Sequence, residues 1–339
     1  RENVVVVVID TLRPDRLGCY GHERGTSPFI DSLAAQGVVF EQAYSTSSWT
    51  VPSVASLMTG LPPRGHGCRH GIIHKGSRGL ADQEVLAEEI ETLAERMRSL
   101  GYRTYGVSAN PHISREMGFA QGFDQFETLW LADAAAINGV VEMWQAELTK
   151  RRRRPFFLYV HYLDPHAPYH ARAPWIEEFA AGSTNHVPFD SVTPEVRDAL
   201  LVSGWRAAAG DSAAQAAFTA AARQGLLDLY DSEIGYVDKH LRQLLQRLGV
   251  EPGRDTVVVT ADHGEEFLEH RGGTGHGKTL YETVVRIPLI WCGPQVKAAG
   301  RRVATAVSLV DIFPTLAALN KSPLPADTAG ISLAGALQE

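Results

Sequence analysis

Cysteine is scarce in this 339-residue chain: only Cys19, Cys68 and Cys292 occur, far apart and without C-x-x-C spacing. That pattern excludes a zinc knuckle and a disulfide framework, although one pair is still free to bridge. No apolar run reaches the ~18 residues of a membrane-spanning helix, so no span is expected. A surplus of positive charge is missing too. The net charge is −7 and the isoelectric point is near 6.0. Without a positive field to neutralise phosphates, a nucleic-acid partner is not expected. The arginines from Arg151 to Arg154 are a local exception and read as a solvated helix end. Internal repeats and low-complexity tracts are absent. What is present is ordinary globular composition, 44% hydrophobic and 21% charged, long enough for one large α/β domain or two smaller ones.

Strand and helix patterns alternate along the chain. Residues 4–9 form a continuous β-branched run, read as a central parallel strand, and further strands are expected over 38–40, 102–107, 156–160, 256–260 and 287–291. Helices are expected over 27–36, 84–100, 134–150, 225–248 and 309–319. Residues 170–222, alanine-rich with scattered prolines, read as an insertion of helices and loops that can form a lid. The alternation predicts a doubly wound, mostly parallel α/β sheet with helices on both faces.

Four of these strands end in polar clusters: Asp10, Asn110 with His112, His161 with Asp164 and His166, and Asp262 with His263. Ligands of open α/β sheets gather at the carboxyl ends of strands, so four such clusters point to one shared pocket. Carboxylates, imidazole and a hydroxyl make a suitable ligand set for a divalent cation. The hydroxyl comes from Thr50, just ahead of Pro52 and an apolar run that stops at Gly60. Proline suits a first helical turn, which puts Thr50 at the positive end of a short helix. Taken alone, such a threonine is more often an N-cap than a nucleophile. The clusters around it reverse that order.

The chain resembles the sulfatase family of the alkaline phosphatase superfamily. The resemblance rests on the stretch from Asp10 to Gly21, on Thr50-Val-Pro-Ser-Val-Ala-Ser-Leu-Met-Thr-Gly60, on Gly101-Tyr-Arg-Thr104 and on residues 118–124. It continues through His161-Tyr-Leu-Asp-Pro-His-Ala-Pro168, Thr260-Ala-Asp-His-Gly-Glu265, residues 275–282, Arg286-Ile-Pro288 and residues 309–314, in family order over nearly the whole chain. It implies a single catalytic domain over 1–339 that cleaves a sulfate or phosphate ester, carried by a small molecule, a glycan or a lipid. A periplasmic or secreted location would follow. By the same resemblance Asp10, Asp262, His263 and Thr50 hold one divalent cation (Ca²⁺, Mn²⁺ or Mg²⁺, with Zn²⁺ as a further candidate), and Thr50 is the nucleophile. Asn110 and His112 fall on the family's oxyanion-gripping Lys-x-His. His166 falls on a substrate-contacting histidine, and either His276 or Lys278 takes the role of the leaving-group lysine.

Three departures set this chain apart. The family nucleophile is a Cys or Ser oxidised to formylglycine, within C/S-x-P-x-R; here Thr50 and Val54 stand at the first and last positions. Threonine cannot become formylglycine, because its β-carbon already carries a methyl group. The family's Asp-Asp pair after the first strand is Asp10-Thr11, one carboxylate short. The family's C-terminal subdomain is expected to be missing or truncated. These losses keep two alternatives open, a transferase to an acceptor alcohol and a non-catalytic anion-binding module. A second metal is not expected: superfamily members with two metals use an Asp with a His four residues on, and Asp231 is followed at that distance by Gly235. Arg13 is read either as an anion clamp or as a structural ion pair. Glu265 and Glu266 are read as helix caps. Most of the remaining histidines are read as surface or turn residues, with the cluster His66, His70 and His74 also within reach of the pocket mouth.

Overall fold

The computed structural model describes residues 1–71, 85–149, 154–181, 220–270 and 274–339. Its centre is β1 (Val4–Ile9), five valines and an isoleucine buried on both faces. Stiff β-branched side chains favour the extended backbone and pack well on a pleated surface. β1 pairs in parallel with β5 (Phe156–Tyr162) on one side and with β6 (Thr256–Thr260) on the other. The sheet continues through β3 (Arg103–Ser108) and β4 (Gln125–Thr128) beyond β5. Beyond β6 come β9 (Arg286–Cys292), β2 (Val38–Tyr44) and β10 (Arg301–Val303), with β11 (Val307–Ser308) also on β2. Among the described strands of this sheet, only β9 runs against its neighbours. Strands β7 (Glu266–Phe267) and β8 (Thr274–Gly275) form a separate two-stranded ribbon.

Two helical layers cover the sheet. In one, α1 (Pro28–Gln36), α4 (Ala134–Thr149) and α5 (Trp175–Ala181) pack around the long amphipathic α6 (Ala220–Leu248). In the other, α2 (Thr50–Thr59) packs against α3 (Leu93–Ser99) and α7 (Ile312–Leu319). The doubly wound, mostly parallel sheet read from the sequence is the observed architecture.

Several boundaries differ from the expected ones. The helix expected over 84–100 begins at Leu93, because Thr92 and Glu95 close a capping box there. Residue 84 lies outside the described residues. β2 runs four residues further than its apolar start, since β9 on one side and β10 and β11 on the other satisfy its backbone across an irregularity at Phe40/Ala43. The helix expected over 309–319 opens with a 3-10 turn, Leu309–Asp311, closed by a Ser308/Asp311 capping box. All three cysteines are free, so no pair bridges. The insertion read over 170–222 falls largely outside the described residues, as do Arg151, Arg152, Arg153 and His74.

Candidate active site

Parallel pairing carries the strand-end clusters to one edge. The register Val8↔His161 sets His161 of β5 beside the end of β1, where Asp10 follows. Asp262 and His263 follow β6 on the other flank of β1, and Asn110 follows β3. The turn after β1 is tight: Thr11 has φ 57, unusual for a β-branched residue. Its N–H donates to Asp262 Oδ1 (3.2 Å), and Tyr230 Oη donates to its carbonyl (2.7 Å), which holds the conformation. Beyond His263 the chain presses so close to residue 283 that a Cβ on Gly264 would collide with the Thr283 carbonyl.

Thr50 is the first residue of α2, preceded by Trp49, and no side chain caps this helix. The hydroxyl therefore does not act as an N-cap. Its Oγ1 lies 3.3 Å from His263 Nε2 and 3.3 Å from Asn110 Nδ2. Asn110 Nδ2 also donates to Asp10 Oδ2 at 2.8 Å, and Asn110 Oδ1 accepts from the His112 N–H at 3.0 Å. One amide thus ties the ends of β1, β3 and α2 together.

Asp10, Asp262, His161 and His263 are fully buried. Asp262 Oδ1 accepts the N–H groups of Thr11 (3.2 Å) and His263 (2.8 Å), leaving Oδ2 without a partner. Asp10 Oδ1 and His161 Nε2 also lack hydrogen-bond partners. Ligand atoms of Asp10, His161 and Asp262 lie within 4.8 Å of one another. His263 Nε2 stands 3.4 Å from Asp262 Oδ2 and 3.8 Å from Asp10 Oδ1. Buried, unpaired acceptors are costly unless a cation or a donor meets them, so these residues fit a divalent ion. The protonation states agree. Burial alone would raise the Asp10 carboxyl, yet the imidazoles of His166, His161 and His263 outweigh it and hold the group well below the usual carboxylate range. Burial pushes His263 down, against the pull of Asp262 and Asp10. Its Nδ1 faces the Gly264 carbonyl at 2.9 Å, so Nε2 carries the lone pair.

A cleft of about 340 Å³ opens above Thr50. Asn110, His112, His166 and His276 supply its polar wall, and Trp49 and the exposed Trp130 and Leu131 its apolar rim. His276 Nδ1 meets Glu265 Oε1 at 2.9 Å, and Tyr169 Oη donates to Glu265 Oε2 at 3.0 Å. Burial disfavours the charged imidazole, but the Glu265 carboxylate prevails and lifts His276 to about 9. The His276 ring packs 4.3 Å from that of His263 and 5.0 Å from that of His166.

The structure thus brings Asp10, Thr50, Asn110, His112, His166, Asp262, His263 and His276 to one place. Of the pair His276 and Lys278, the cleft takes His276, whereas Lys278 is exposed in the bend that follows the ribbon. Arg13 is no anion clamp. It is buried in ion pairs with Asp15 (2.7 Å) and Glu269 (2.7 Å) and donates to the Glu265 carbonyl (2.9 Å). Glu265 and Glu266 cap no helix, because the chain after His263 enters the ribbon instead; Glu266 accepts from Thr279 Oγ1 at 2.8 Å. His66 is not at the surface: it is buried, with Nε2 3.1 Å from Ser56 Oγ. Asp231 is paired with Arg16 and Arg24. Sequence reasoning placed His161 in the shared pocket without a role, and read Glu265 as a helix cap rather than as the partner of His276. The strand-end cluster held a signal for the first, and nothing local distinguished the second.

An α/β fold with a helix-terminal hydroxyl, a buried acidic and imidazole cluster and an adjoining cleft at the carboxyl edge of its sheet is the layout of an enzyme. The family model described as Sulfatase matches residues 2–321, and the chain belongs to that family. It is 26% identical over 358 residues to a Delta 4,5-hexuronate-2-O-sulfatase of Bacteroides thetaiotaomicron, covering all of this chain and 72% of that protein. It is 28% identical to Arylsulfatase A of Homo sapiens over 95% of this chain and 65% of that protein. Among solved structures, a phosphonate monoester hydrolase of Agrobacterium radiobacter superposes with TM-score 0.77 at 22% identity, covering 100% of this chain and 77% of the other. A 2-O GAG sulfatase superposes with TM-score 0.74, also at 22% identity, over 100% and 74%. The relatives indicate a sulfuric ester hydrolase with the alkaline phosphatase-like fold. Sulfatases generally use a divalent metal, and the Asp10, His161 and Asp262 group is a candidate for it. Among the described residues no helix is long and apolar enough to cross a membrane.

Proposed function

We propose that this chain is a metal-dependent ester hydrolase in which Thr50 is the nucleophile, acting within a single catalytic domain. The observation that carries the proposal is the position of Thr50 Oγ1, at the floor of the cleft and 3.3 Å from both His263 Nε2 and Asn110 Nδ2. Asp10, Asp262 and His263 hold one divalent cation beside Thr50. When bound, it lowers the cost of the Thr50 alkoxide and draws charge from the ester's non-bridging oxygens. His112 and His166 grip those oxygens. Thr50 Oγ, ionised with its proton lost to solvent before the ester binds, bonds to phosphorus or sulfur as the bond to the leaving oxygen breaks, and leaves again as the alkoxide in the second step. His276, kept protonated by Glu265, gives its proton to that oxygen from Nε2. A water then attacks the Thr50 ester and returns a proton to His276, which restores the starting state.

The chemistry of a threonine favours phosphate esters, diesters in particular, over sulfate esters. A hydrated formylglycine has a second hydroxyl that expels sulfate by breaking the C–O bond. Threonine has none, so its sulfate ester must be opened by attack at sulfur. Phospho-threonine is opened by in-line water attack with cationic groups on the equatorial oxygens. Val54 is buried where the family has an arginine, which removes one positive charge from the sulfate-cleaving pattern. The names of the relatives point to glycan substrates. Trp49 and Trp130 at the rim suit a sugar or aryl ring on the substrate's alcohol. A matched aryl phosphate diester and aryl sulfate test the preference. Faster diester turnover, abolished in Thr50→Ala with the metal retained, is expected. Faster sulfate turnover that depends on Thr50 overturns the preference, and bound metal with no turnover of any ester would leave a binding module.

A further inference from the structure

We infer that His161 is a ligand of the cation, standing in for the carboxylate that Thr11 does not supply. With His263 it makes a two-imidazole set that selects Mn²⁺ or Zn²⁺ over Ca²⁺ and Mg²⁺. The inference rests on the metal reading proposed above. His161 is fully buried at the end of β5 and lines neither wall of the cleft, so it has no substrate to contact. Its Nε2 has no hydrogen-bond partner and points at the two carboxylates whose own free oxygens, Asp10 Oδ1 and Asp262 Oδ2, are likewise unpaired.

Spacing separates a ligand from an ordinary hydrogen bond. His161 Nε2 lies 3.4 Å from Asp10 Oδ2, long for a hydrogen bond to an oxygen that already takes the Asn110 amide at 2.8 Å, and within 4.8 Å of a ligand oxygen of both Asp10 and Asp262. Two ligand atoms each about 2.1 Å from one ion stand roughly 3–3.5 Å apart. The other ring nitrogen is held as ligating histidines are held: Nδ1 lies 3.2 Å from Tyr159 Oη, two residues back on the same face of β5. With the Nδ1 proton given to that phenol oxygen, the lone pair of Nε2 is directed at the carboxylates. Thr11 contributes no side-chain oxygen to the group, since its Oγ1 is turned to the Asp10 carbonyl at 2.7 Å. All-oxygen sets suit Ca²⁺ and Mg²⁺, whereas imidazole nitrogens shift preference toward Mn²⁺ and Zn²⁺.

The test is pulsed EPR of the full chain loaded with Mn²⁺, with metal content and affinity measured in parallel. The wild-type protein is expected to bind one ion, with ¹⁴N couplings from two imidazoles and with Mn²⁺ displacing Ca²⁺ in competition. His161→Gln should retain one imidazole coupling and bind Mn²⁺ roughly 10²-fold more weakly. His161→Asp should move the preference back toward Ca²⁺. One imidazole coupling in the wild-type protein overturns the inference without any variant, and leaves the metal reading standing. So does unchanged coupling and affinity in a folded His161→Gln. No metal bound by the wild-type chain overturns the metal reading and the inference together.

Discussion

The Glu265 carboxylate and the His276 imidazole meet at 2.9 Å inside the protein, and each holds the other in its charged form. Burial opposes both charges, so neither would persist there without the other. In the mechanism proposed above, this pair would supply the proton that the leaving oxygen needs.

Removing the Glu265 charge should therefore disable the acid without emptying the site. Glu265→Gln is expected to lower turnover of esters with alkyl leaving groups by roughly 10²-fold. Esters of acidic phenols, which leave unaided, should be little affected. Equal losses on both substrates would show that Glu265 does not act through leaving-group protonation.

His112 and His166 line the cleft and lie outside the group formed by Asp10, His161 and Asp262. Alanine at either is expected to cut turnover roughly 10²-fold or more, as for loss of one transition-state charge contact, with metal content unchanged. A parallel loss of metal, read by elemental analysis, would reassign them as ligands.

Arg13 should matter for stability alone. Its guanidinium bridges Asp15, Glu269 and the Glu265 carbonyl, so Arg13→Met removes a partner from each, although Glu269 keeps Arg223 at 3.1 Å. Because Asp15 is half exposed, the expected cost is about 1–3 kcal/mol by urea denaturation. KM for the ester should stay the same; a several-fold rise in KM with unchanged stability would restore the clamp.

Asp238, on α6, accepts the backbone N–H groups of Phe29 (3.0 Å) and Ile30 (2.8 Å) at the start of α1. Burial lifts its carboxyl from 3.8 to about 7, the two N–H groups opposing. Between those values the folded chain keeps a proton that the unfolded chain has released. This group's contribution to stability is therefore complete below about pH 4 and is lost as pH rises toward 7. Relative to wild type, Asp238→Asn should gain in thermal stability as pH rises through that window. A difference in Tm that does not vary with pH would contradict the assignment.

The elements with a strong local signal were legible from the chain alone. β1 is one: an unbroken β-branched run can be buried on both faces only near the middle of a sheet. α2 is another, with Gly60 at its end in the left-handed conformation that glycine adopts without cost. Boundaries set by partners were not legible. β2 continues past polar Glu41 and Gln42, which lie in its irregularity, because Ala43 and Tyr44 pair again with β9 and β11, which its own pattern does not encode.

The residues of the site divide along the same line. The sequence by itself determined which side chains stand at strand ends and at the first turn of α2, because strand and helix periodicity and Pro52 are local properties. Asp10, Thr50, Asn110, Asp262 and His263 could be named from it. Only the tertiary structure decided that Glu265 supports His276, that Lys278 stays outside the cleft, that Arg13 is consumed in ion pairs and that His161 faces the carboxylates. Each depends on which segments distant along the chain pack together. The parallel register of β1 and β5 aims His161 at Asp10, and the ribbon after β6 folds Glu265 back onto His276. Hydrogen bonds and ligand bonds act over about 3 Å, so which groups meet is known only once the packing of these strands is known.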